Sequence, residues 1–148
     1  MAIVTAGLLG LVAGLFGAAT QAPQHGTTLP CTVTRILDGD TLEITLEPRT
    51  ARVRLIDAWA REVHRVNKDE NGKQRKEADI LGDLEAGLAA KAYLESLASG
   101  KAATVVIPYH QNLGDETTLG RVLGLVYVGD IDLSEEMVKS GHAKKVKP

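Results

Sequence analysis

The chain has a single cysteine, Cys31, so no intramolecular disulfide can form, and in a 148-residue chain a lone thiol reads as a small buried side chain. Aromatic residues make up only 3% of the sequence, with one tryptophan, Trp59, which leaves few rings on which a ligand could stack. Basic charge is not in excess either. Seventeen Lys and Arg face nineteen Asp and Glu, a net charge of −2, and this excludes a global basic field of the kind that gathers polyanions. Any grip on nucleic acid must be local. What the chain does have is 44% apolar residues, enough to bury one compact core without disulfides or structural zinc.

Charge is also missing from one whole end: no Lys, Arg, Asp or Glu precedes Arg35. "AIVTAGLLGLVAGLFGAA" is a continuous run of apolar and small residues, followed by the polar, Pro-containing "TQAPQHGTTLP". An apolar stretch followed by Thr20 and Ala22 at cleavage-like spacing reads as an export signal over residues 1–24. Residues 2–19 are also long enough for an uncleaved anchor, although no basic residues precede them. The expectation is a secreted or membrane-anchored protein, with membrane association through residues 2–19. The Leu-Pro-Cys context of Cys31 is a poor lipid-attachment site.

Past the leader, residues 31–146 read as one domain. "CTVTRIL" and "TLEITL" are β-rich runs around an Asp-Gly-Asp turn, and "ARVRLIDA" makes a third strand after the Glu47-Pro48 turn. Residues 61–77, "REVHRVNKDENGKQRKE", are crowded with charge and interrupted by Asn71-Gly72, as in a long mobile loop. Leu81, Leu84, Leu88 and Ala92 then fall three or four apart, the spacing of one buried helix face, with Gly100 placed to end the helix. "AATVVIPY" and "RVLGLVYV" are two more strands, the second expected to be covered on both faces. "IDLSEEMVKSGHAKK" closes with a short helix capped by Asp132 or Ser134 and stopped at Gly141. Five strands and two or three helices predict an α+β fold, a five-stranded OB-type barrel with helices packed on it.

The chemistry concentrates in "ILDGDT", "RVRLIDAWARE" and "LGRVLGLVYVGD". Asp38-Gly39-Asp40 by itself is an ordinary turn sequence, although two close carboxylates can also prepare a cation site. Taken together, these segments resemble the staphylococcal-nuclease-like, or thermonuclease, family of calcium-dependent nucleases. The likeness covers about residues 31–146 in the right order. It implies Asp40 as a calcium ligand, Arg54 and Arg121 as phosphate-holding arginines and Glu62 as general base. It also implies a backbone carbonyl near Ala60 as a further ligand, a monomer acting on DNA or RNA, and products ending in a 3′-phosphate. These residue types suit the reaction. A planar guanidinium holds two phosphate oxygens without losing its proton, and a hard cation takes oxygen ligands.

The sequence departs from the family in two places. Where the family has a second Asp ligand, three residues before the Glu, this chain has Trp59. Asp57 lies two residues earlier, so two registers compete: one puts Arg54 at the phosphate, the other puts Arg52 and Asp57 at the site. The reading favours Asp57 near the metal. The family's tyrosine before the Gly-Arg pair is Leu119 here, and its later tyrosines have no counterpart, so Trp59 and Tyr127 are the candidates for substrate contact. A tryptophan so placed is more often a partly buried anchor than a base platform. His64 and His110 read as surface residues. Lys68, Lys73, Arg75 and Lys76 read as a solvated face, and Lys144, Lys145 and Lys147 as a solubilising tail. The competing functional class is an OB-type module that binds nucleic acid or protein without cutting.

Overall fold

The computed structural model describes residues 27–108 and 121–145. In chain order the elements are β1 (Thr27–Asp38), β2 (Thr41–Leu46), β3 (Arg49–Leu55), α1 (Glu77–Ala98), β4 (Ala102–Ile107), β5 (Val122–Val128), β6 (Ile131–Asp132) and α2 (Leu133–Lys139). The sheet runs β3-β2-β1-β4-β5-β6, all antiparallel neighbours, and a parallel pairing of β3 with β5 closes the first five strands into a barrel. This is the expected five-stranded OB-type architecture with two helices. The two-residue β6 adds a short sixth strand among the described residues, and β1 begins four residues before the expected boundary.

Alternation builds the core. Leu42 and Ile44 of β2, Val53 and Leu55 of β3, Val105 and Ile107 of β4, and Val122 and Val126 of β5 all point inward and are at most 2% exposed. In β1 the buried Val33 and Ile36 are three residues apart, because the pairing with β2 slips between Val33 and Arg35 and leaves Thr34 and Arg35 both outside. β5 is fully buried on one face and half-covered on the other, where Leu125 and Tyr127 are half-buried. Val122, Gly124 and Val126 are buried, whereas Leu123 is 42% exposed.

Helix α1 lies against β1, and its buried side is not the leucine stripe. Ala90, Leu94 and Ala98 face the barrel core, Gly87 faces the backbone of Arg61 and Glu62, and Ile80 is buried as well, while Leu81 and Leu88 are each half exposed. The small residues win because this helix sits very close to the barrel. A β-carbon on Gly39 would stand 2.5 Å from the Ala90 β-carbon and 2.7 Å from that of Ala60. Gly39 is therefore demanded by the packing of α1 as much as by its turn. The helix ends as expected at Gly100, whose φ of 72° suits a left-handed cap. Asp132 caps α2, its Oδ1 accepting from the N–H groups of Ser134 (2.9 Å) and Glu135 (3.3 Å), and Gly141 ends it at φ 80°.

The charged segment 61–77 is built rather than loose. Asp69 Oδ1 accepts from the N–H groups of Asn71 and Lys73 (3.0 and 2.8 Å), and Lys68 and Gln74 form a bridge. Arg75 donates to the Val66 carbonyl (3.2 Å) and pairs with Asp83, and Arg65 pairs with Glu77. Its charges are spent largely on fastening the segment to itself and to α1. No helix among the described residues is long and apolar enough to cross a membrane, and residues 1–26 lie outside the described part.

Candidate functional site

The turn joining β1 to β2 places Asp40 at the mouth of the barrel, only 2% exposed. Its backbone is fixed first: the Leu55 N–H donates to the Asp40 carbonyl (2.8 Å), and the Asp40 N–H donates to Asp38 Oδ1 (3.0 Å). Asp38 thus closes a local turn with its side chain. The Asp40 carboxylate is fully engaged. Oδ2 accepts from the Ala60 N–H (2.7 Å) and pairs with Arg54 Nη2 (2.9 Å), and Oδ1 accepts from Thr41 Oγ1 (3.1 Å). Burial pushes its pKa up to about 7, with the Asp38 side chain adding to the rise and the Ala60 N–H and Arg54 opposing it.

Register brings the arginines to this point. Thr41 lies opposite Arg54 in the β2–β3 ladder, and Arg54 lies beside Leu123 in the β3–β5 pairing, two residues along from Arg121. Arg121 Nη1 reaches Thr41 Oγ1 at 3.4 Å. Asp40, Thr41, Arg54 and Arg121 therefore form one cluster, and it is Arg54 that meets Asp40. Arg52 sits opposite Glu43, two residues along the strand. Thr41, 2% exposed, is the link that sequence reasoning missed; its place in the Asp-Gly-Asp-Thr turn was the available signal.

Of the other expected ligands, Ala60 adjoins Asp40 and Asp57 does not. Asp57 is exposed, in a turn at φ 57°, and lines a different groove with Leu125, Asp132 and Glu135. β3 ends at Leu55, and the turn that follows carries Asp57 away before the chain returns to Asp40 at Ala60. Ala60 meets Asp40 through its N–H rather than through a carbonyl. Tyr127 is also remote: six residues beyond Arg121 on a strand is about 20 Å. Burial raises its pKa, and so do the charge and hydrogen bond of Asp132, which puts the phenol beside the α2 cap.

Glu62 stands two residues past Ala60 with an exposed carboxylate, whose Oε2 is 3.5 Å from His64 Nδ1. Its backbone is clamped by α1. A β-carbon on Gly87 would come within 2.6 Å of the Glu62 carbonyl carbon and 2.7 Å of the Arg61 oxygen, so only glycine allows this approach. Trp59 exchanges both backbone hydrogen bonds with Lys144 (2.8 Å each), and the Arg61 guanidinium lies over its ring, 4.9 Å from the centroid. Trp59 is thus an anchor with a cation on its face.

The donor set does not make a calcium cage. Calcium takes about six to eight oxygens. Among the described residues no group of three or more metal-ligating side chains comes together: Asp38 and Asp40 are the two carboxylates here, and that of Asp40 already accepts from an amide, a hydroxyl and a guanidinium.

A closed OB-type barrel with two arginines gathered around a buried aspartate is a fold and site of the nuclease or nucleic-acid-binding class. The chain belongs to the family described as staphylococcal nuclease homologue, whose model matches residues 52–148. The match begins inside β3, so it covers Arg54, Glu62 and Arg121, while geometry alone ties the Asp38–Thr41 turn to them. A comparison with curated proteins finds no match.

Proposed function

We propose that the domain hydrolyses phosphodiester bonds of DNA or RNA at the cluster built on Asp40. Family membership supports the class, and the observation that carries the reading is the convergence of Arg54 and Arg121 on Asp40 and Thr41. The two guanidiniums hold non-bridging oxygens of one phosphate and offset the charge that develops there. Asp40 orients Arg54, and the Ala60 N–H and Thr41 hydroxyl hold Asp40. Glu62, on a backbone clamped by Gly87, takes the proton of the attacking water. The new P–O bond forms as the bond to the 5′-oxygen breaks, the departing oxyanion takes a proton from water, and a 3′-phosphate and a 5′-hydroxyl result. Calcium dependence is the family's expectation. The donor set here does not favour it, and no step above uses a cation.

A second reading, a barrel that binds without cutting, is favoured by Trp59 in the place of a ligand and by the carboxylate of Glu62 lying beside His64. Cleavage of denatured DNA by the full chain, in calcium, in magnesium and in chelator, separates the two. The expected result is cutting that falls about 100-fold or more in Glu62→Gln. Retained binding with no cutting under any of the three conditions gives the second reading.

A further inference from the structure

Trp59 and Arg61 form one wall of a groove of about 340 Å³ whose other wall is the turn at 141–144, carrying His142 and Lys144. Ala86 and Ala89 of α1 make the floor, and their small side chains leave the space open. We propose that this groove is a subsite for one nucleotide of a single strand, adjoining the Asp40 cluster. The proposal rests on the reading of the domain as one that acts on nucleic acid, and it assigns that substrate a class: unpaired.

Three observations carry it. The lining carries two cations and flat rings: Arg61 and Lys144, with the His142 imidazole, surround an indole, and no carboxylate lines the groove. That combination suits a planar ring joined to a phosphate better than either alone. Its parts are held before any ligand arrives. Arg61 Nε is 3.1 Å from Asp83 Oδ1, which keeps the guanidinium over Trp59 and leaves its plane as a stacking surface. His142 stacks on Tyr93 with ring centroids 4.4 Å apart, and its Nδ1 lies 2.9 Å from Ser140 Oγ. Tyr93 is anchored in turn through its hydroxyl, which donates to Glu136 Oε1 at 2.7 Å. Position is the third: Trp59 is adjacent in sequence to Ala60, whose N–H holds Asp40, so a strand with one phosphate at the arginines has its neighbouring nucleotide within reach of the groove. A paired base is stacked inside its duplex and cannot enter a space of this size, so the occupant is single-stranded.

Trp59 is the only tryptophan, so its fluorescence reports on the groove alone. The experiment titrates the full chain with a six-nucleotide oligothymidylate in chelator, following Trp59 emission together with the anisotropy of a labelled oligonucleotide. Expected are a saturable change in emission, binding weakened about fivefold by Lys144→Ala and by Arg61→Ala, and a duplex of equal length that binds far more weakly. Lys144 is exposed, so its truncation leaves the fold intact, as circular dichroism would confirm. Binding seen by anisotropy with no change in Trp59 emission, or with emission that both variants leave unaltered, overturns the groove and leaves the nucleic-acid reading standing. No binding by either signal overturns both.

Discussion

The two aspartates expected to share one cation have opposite surroundings. Asp40 is buried, with every carboxylate oxygen in a hydrogen bond or ion pair; Asp57 is exposed on a turn whose φ is 57°. The difference lies in what fixes each backbone. Asp40 directly precedes β2, and its backbone is held on both sides, by Asp38 Oδ1 and by the Leu55 N–H, so its side chain is delivered to one place. Asp57 comes two residues after β3 ends, where no ladder constrains it, and the chain is free to turn it outward. A carboxylate in the first setting must find partners, and one in the second needs none.

The largest expected effect comes from removing the partner of the buried acid. Arg54→Ala leaves Asp40 with an uncompensated charge and should cost about 3–5 kcal/mol in chemical denaturation at pH 8. The loss should shrink at pH 5, where Asp40, with its pKa at about 7, is protonated and asks less of Arg54. A loss of equal size at both pH values would mean that packing of the Arg54 side chain, not charge, is what matters. The corresponding truncation of Arg52, opposite Glu43 near the surface, should change stability by less than about 0.5 kcal/mol.

The same acid sets a pH dependence in the wild-type chain. Its pKa is about 7 when folded and 3.8 by its ordinary value, so between these the folded state holds a proton that the unfolded state has lost. The stabilisation is fully present below about pH 3.8 and is lost as pH rises through about 7, on the order of 4 kcal/mol in all. Asp40→Asn should flatten that slope. A slope that survives the substitution belongs to some other group.

Gly87→Ala tests the clamp on the segment that carries Glu62. The added carbon meets the backbone of Arg61 and Glu62, not a flexible side chain, so either α1 or the segment carrying Glu62 must move. The expected cost is about 1–3 kcal/mol, with any cleavage activity falling more than the stability loss explains. Gly82, with open space around it, should tolerate alanine and gain slightly from it.

What the sequence made legible follows the same division. Strands with period-two burial, the caps at Gly100, Asp132 and Gly141, and the meeting of Asp40, Arg54 and Arg121 are all set by local pattern or ladder register. The misses are where close approach or side-chain pairing decides. Leu81 and Leu88 have correct helical spacing, yet Gly87 and Ala90 take the buried face, because the backbone of Arg61 and Glu62 at Gly87 and the Gly39 turn at Ala90 come too near for leucine. Residues 61–77 look like a solvated run because charge counts say nothing of partners, and Asp83, which pairs with both Arg61 and Arg75, lies outside the segment. Lys144 reads as part of a tail until its backbone is seen paired with Trp59.

The smallest effect is the most direct test of the competing registers. Asp57 adopts the left-handed conformation, which costs a side chain with a β-carbon about 1 kcal/mol, less for Asp than for most residues. Glycine removes that strain but enlarges the freedom of the unfolded chain, so Asp57→Gly should stabilise by no more than about 0.5 kcal/mol. Its value lies in a second readout. If Asp57 stands apart from the Asp40 cluster, the variant keeps both cleavage and its response to added calcium or magnesium. A variant that folds normally but loses its cation response would return Asp57 to the site, and would require the chain after Leu55 to take a different path when the metal binds.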